Sequence, residues 1–124
     1  MEMAINGLNI FAAFATIGLG LFGWLKPEFT LEFLGLAPTD ETGLGKSEIR
    51  AASGALWVGA GAMALMLFTP TAFLMLAAVW AGAAIGRLTA IFADGATKGQ
   101  PVVFFGVEAL FAIMLLTANA PAVL

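Results

Sequence analysis

The chain has 124 residues, 61% of them hydrophobic and 10% charged, with a mean hydropathy of +1.01, which is too apolar for an ordinary soluble domain of this length. A net charge of -3 with only five Lys and Arg excludes a phosphate-neutralising surface, so nucleic acid is not an expected partner. The absence of Cys and His removes the usual protein ligands for zinc, copper, iron-sulfur clusters and haem and makes a disulfide framework impossible; no cofactor and no metal are expected.

The opening residues MEMAING carry no basic n-region, and the apolar run that follows is longer than the hydrophobic stretch of a signal peptide, so the first helix is expected to be retained. Prolines at 27, 38, 70, 101 and 121 fall between apolar runs, where no helical N–H is lost. They divide the chain into four spans at about 4–25, 47–68, 71–93 and 102–118. At ~1.5 Å rise per residue the first three cross a ~30 Å hydrocarbon layer, whereas the fourth is marginal. Span one carries Asn6 and Asn9 near its start and a small-residue stripe, Ala12, Thr16 and Gly20, before an interfacial Trp24 and Lys26.

Residues 27–35 place Glu28, Glu32 and Gly35 on one side and Phe29, Leu31, Phe33 and Leu34 on the rest, which predicts a short amphipathic helix lying in the interface. Its acidic polar face favours a role as a lid over a role in binding anionic lipid. The polar run 37–47 reads as a loop, with Ser47 as N-cap of span two. Only Thr69 and Pro70 join spans two and three, which predicts a tight antiparallel hairpin, and DGATKGQP is short enough to make spans three and four neighbours. The expected fold is therefore all-α: a single domain over 1–124, an integral membrane four-helix bundle with a short interfacial helix after the first span.

Within span three, Ala78, Gly82, Gly86 and Ala90 recur every four residues, the spacing that lets another helix approach backbone to backbone. Arg87 lies beside that stripe, well inside the apolar run. A guanidinium at that depth is costly unless it faces protein, water or an anionic partner. Helical rise puts Arg87 and Glu108 at a similar depth, ~10 Å below one surface, which predicts that they pair. Arg50 lies near the same boundary, with Glu48 and Asp94 shallower. Together Glu48, Arg50, Arg87, Asp94 and Glu108 form a candidate intramembrane charged cluster, either a vestibule for a small anion or headgroup or a structural ion-pair network, with the network favoured. Trp57 and Trp80 lie near mid-depth, and each indole N–H needs a partner; packing is favoured over contact with a quinone-like ligand. Phe104, Phe105 and Phe111 likewise read as packing or lipid-facing groups.

Lys26, Lys46 and Lys98 all fall in the first and third connections, which by the positive-inside rule face the cytoplasm and leave the termini periplasmic. No span is broken by proline, and no nucleophile has a base at catalytic spacing, so an enzyme is not expected. The segments KSEIRAASGALWVGAGA, AAIGRLTAIFADG and VEALFAIMLL resemble a family of small bacterial four-helix membrane proteins of unknown function, grouped with the DoxX-like proteins, over residues of about 5 to 117. The resemblance implies a four-helix protein of the bacterial inner membrane; some relatives in the broader group are quinone-linked subunits or assembly helpers, and no activity transfers. The expected role is a noncatalytic accessory or assembly subunit, with the lipid bilayer and other membrane subunits or further copies as partners. The rivals are an oligomeric small-molecule or anion binder or transporter, or a quinone-associated subunit.

Overall fold

The computed structural model describes residues 1–39 and 41–124; Asp40, inside the expected 37–47 loop, lies outside the described residues. Every regular element among them is helical. In order they are α1 (Glu2–Leu25), α2 (Pro27–Phe33), α3 (Leu44–Arg50), a π turn (Ala51–Ala55), α4 (Leu56–Leu67), α5 (Pro70–Ala93), α6 (Gln100–Asn119) and a closing 3-10 turn (Ala120–Ala122). Because α3, the π turn and α4 run on without a break, four helices are long and apolar enough to cross a membrane: Glu2–Leu25, Leu44–Leu67, Pro70–Ala93 and Gln100–Ala122. This is the all-α, four-spanning class that the sequence implies, and the chain is a small multi-pass membrane protein.

All four spans start earlier than expected, the first at Glu2 and the other three each for a local reason. Pro70 and Pro101 are not outside their helices but in the first turns of α5 and α6, where a missing N–H has no intrahelical partner to lose. The fourth span, expected at 102–118 and marginal in length, therefore runs from Gln100 to Ala122 and matches the others. Ser47 is not an N-cap. Gly43, at φ +83°, occupies that position and its carbonyl accepts the Ser47 N–H at 2.9 Å, while the Thr42 hydroxyl takes the Leu44 N–H at 3.3 Å. At the α4 to α5 corner, Thr69 caps α5 by accepting the Ala72 N–H at 3.3 Å, and Phe68 takes φ +45°.

The chain forms two compact units, Met1–Ala12 with Leu67–Leu124, and Ala13–Met66. In the first, α5 buries Phe73, Leu76, Ala77, Trp80 and Ala84, and α6 buries Glu108, Ala112, Leu115 and Asn119, in both cases one stripe at helical spacing. Trp80 stacks on Phe111 at 4.6 Å, and Phe111 on Phe11 at 6.0 Å, so an aromatic column ties α1, α5 and α6 together.

The second unit is built on glycine contacts. An ideal Cβ on Gly20 would stand 2.7 Å from the Gly54 carbonyl oxygen, one on Gly23 2.1 Å from that of Ser53, and one on Gly61 2.8 Å from that of Ala13. Backbone meets backbone here, which only small residues allow. The π turn lies at this crossing and brings Gly54 against the backbone of Gly23 and Trp24. Its Ala52 carbonyl is satisfied by the Trp57 indole N–H at 2.9 Å.

At the edge of this unit Lys46 of α3 bonds Glu28 of α2 at 2.7 Å. That hydrogen bond, with help from a backbone one, holds the Glu28 carboxyl below the ordinary glutamate range. Because the folded value is the lower one, the contribution to stability is fully present above the titration range of an unfolded glutamate and is lost as pH falls through the folded value. Both groups are largely exposed, so the effect is small. Amide exchange in α2, corrected for intrinsic rates, should speed up in the wild type as pH falls through the acid titration of Glu28 and change less in Lys46→Met; equal acid sensitivity would contradict the pairing.

Candidate functional site

Arg87 lies six residues inside the C-terminal end of α5, and Glu108 eight residues past the start of α6, so both stand roughly 9–12 Å along their helices from the same end. The two helices pack closely, and the Arg87 Nε donates to Glu108 Oε1 at 3.3 Å. This is the pair that the depth count predicts. The guanidinium also lies over the Phe104 ring, 5.0 Å from its centroid. The contact is a single one, and long for a charge-assisted bond, which is usually ~2.8 Å. It leaves Glu108 Oε2 buried without a hydrogen-bond partner among the described residues. The Arg87 side chain keeps 38% of its surface exposed and that of Glu108 only 11%. The arrangement holds a guanidinium by one edge and presents the other.

The remaining charges of the expected cluster stand each within its own unit. Arg50, in the second unit, donates through Nη1 to the carbonyl of Trp24 in the last turn of α1. It supplies a cationic cap to a helix end that has no basic residue of its own. Glu48 is exposed on α3, and Asp94 is exposed at the C-cap of α5, where its N–H bonds the Ala90 carbonyl. The Trp57 indole N–H donates to the Ala52 carbonyl, and Trp80, 2% exposed, stacks on Phe111. Of the stripe of Ala78, Gly82, Gly86 and Ala90, the first three are exposed, and a Cβ on either glycine would touch nothing within 4 Å among the described residues. The core side of α5 is the opposite face, so the close intramolecular contacts fall to Gly20, Gly23, Gly54 and Gly61 instead.

One buried polar contact has no counterpart among the sequence expectations. Asn9 of α1 and Asn119 of α6 form a reciprocal amide pair, with Asn9 Nδ2 donating to Asn119 Oδ1 at 2.9 Å and Asn119 Nδ2 to Asn9 Oδ1 at 2.8 Å; Asn119 also donates to the Leu115 carbonyl. Both residues are almost fully buried. The signal is Asn6 and Asn9 on α1 and Asn119 on α6, polar amides on apolar helices at the termini end, but nothing in their spacing says which of them pair. Asn9 and Asn119 stand at the base of an open cleft of about 410 Å³ whose wall includes Glu2, Asn6, Phe68, Thr69 and Phe73. Asn119→Ala should strand the Asn9 amide and cost about 1–3 kcal/mol, read as a lowered unfolding transition in detergent. Changing both residues to Leu should recover most of the loss, and an unaffected single variant would contradict the pair.

No curated protein and no solved structure matches the chain. A family model described as a domain of unknown function (DUF4345) matches residues 5–119, nearly the whole of the sequence. The protein is a four-spanning member of that family, the domain of unknown function DUF4345.

Proposed function

We propose that the protein is a noncatalytic accessory or assembly subunit, which docks on a larger membrane complex through the outward face of α5. The observation that carries this reading is the open space above Gly82 and Gly86, with Ala78 one turn before them and exposed Met75 and Ile85 beside them. In lipid, large side chains solvate as well as small ones, whereas Gly and Ala at four-residue spacing let a partner helix approach closely. The small extramembrane mass and the absence of Cys and His add to the reading. Under it the protein sits in the bacterial inner membrane with its termini periplasmic, as a relative of the DoxX-like group.

Since a Cβ at 82 or 86 meets nothing within 4 Å among the described residues, Gly82→Leu with Gly86→Leu should leave expression and unfolding close to wild type while abolishing comigration with the partner. A double variant that still comigrates would overturn this docking face. Arg87, presented by one edge, favours a second reading, a binder of a small anionic group.

A further inference from the structure

We propose that Arg87 is a phosphate-binding site for a membrane phospholipid, set at the end of the protein where α5 ends and α6 begins. The inference is independent of the docking face on α5.

A guanidinium carries five N–H donors in a fixed fork. Nε is used on Glu108 Oε1, and the flat face is covered by Phe104 at 5.0 Å. Neither terminal nitrogen has a hydrogen-bond partner among the described residues. Four donors are therefore presented where a third of the side chain remains open, at a depth where bulk water is scarce and unmet donors are costly.

Glu108 does not use the guanidinium up. Its one contact is long and made at the Nε edge, while its second oxygen points into protein and is buried. The carboxyl thus fixes the direction of Arg87 and leaves the bidentate Nη edge for an acceptor from outside. Two parallel N–H donors match two oxygens of a phosphodiester, the geometry that distinguishes Arg from Lys.

Position selects the source of that phosphate. Helix α5 has 24 residues, ~36 Å against a ~30 Å hydrocarbon layer, so its end overhangs by ~3 Å and the Arg87 backbone sits roughly 6 Å below the boundary. A long side chain at that depth snorkels toward the headgroup level, where lipid phosphates are the abundant anions.

The test is native mass spectrometry of the purified protein during stepwise delipidation, with added phosphatidylglycerol or, separately, inorganic phosphate. Wild type is expected to keep one phospholipid after bulk lipid is removed. Arg87→Lys, which keeps the charge and loses the fork, should lower its occupancy about tenfold. Arg87→Met with Glu108→Leu, which removes both members of the pair and so strands neither, should abolish it, with thermal unfolding confirming that this variant is folded. Equal retention by wild type and the double variant would overturn the proposal. Displacement of the lipid by inorganic phosphate at millimolar concentration would overturn the lipid source in favour of a soluble anion. Loss of a copurifying protein, with lipid retention unchanged, would overturn it in favour of a protein carboxylate.

Discussion

Gly23→Ala is expected to destabilise the protein by about 3 kcal/mol or more, because the added methyl has nowhere to go. Its Cβ would stand 2.1 Å from the Ser53 carbonyl oxygen and 2.9 Å from Gly54 Cα. Both neighbours are backbone, so no rotamer change relieves the clash and α1 must move away from the π turn. That movement would also draw the Trp24 carbonyl away from Arg50 and weaken the cap on α1. Gly54→Ala should behave alike, since its Cβ would meet the Trp24 nitrogen at 2.5 Å. Gly82→Ala supplies the control: its methyl enters open space and replaces the poorest non-proline helix former with the best, so it should be neutral or slightly stabilising. Unfolding in mixed detergent, followed by circular dichroism, reads all three. Equal transitions for Gly23→Ala and Gly82→Ala would contradict the glycine crossing.

Arg87→Met should be the costliest single change at the charged pair. It leaves Glu108 buried with neither oxygen satisfied, and breaking a buried ion pair by removing one partner typically costs about 3–5 kcal/mol. The exposed edge of Arg87 and the length of the contact argue for less here, about 2–3 kcal/mol. Glu108→Leu should cost less again, because the guanidinium it releases can turn to the headgroups. Arg87→Met with Glu108→Leu removes both polar groups and should return close to wild-type stability, so the double-mutant cycle should show a coupling of about 3 kcal/mol, the sum of the two single costs. Additive single effects would contradict the pairing.

The sequence reaches the four helices and the Arg87–Glu108 pair by two simple routes. Apolar length marks the spans, and counting residues from a shared end puts the two charges at one depth. It is less informative where local chemistry leaves several outcomes open. Pro70 and Pro101 mark helix boundaries in either reading, and only the cap residues Thr69 and Gly99 show that both prolines lie inside. Gly82 and Gly20 carry the same small-residue signal, yet one faces outward and the other meets backbone at 2.7 Å; spacing alone does not say which stripe meets the chain's own helices. Depth groups Arg50 with the other charges, but it donates to the Trp24 carbonyl, a backbone atom that charge counting does not see. The π turn has no sequence signature beyond the small residues AASGA that permit it.

The docking reading is tested most directly by mild extraction of the tagged protein at its native expression level, followed by native electrophoresis and mass spectrometry of whatever comigrates. The account predicts a defined assembly far heavier than the 12.8 kDa chain, with the same partner proteins recovered each time and lost in the Gly82→Leu, Gly86→Leu variant. A free monomer, or a homo-oligomer carrying only lipid or a small ligand, would contradict it.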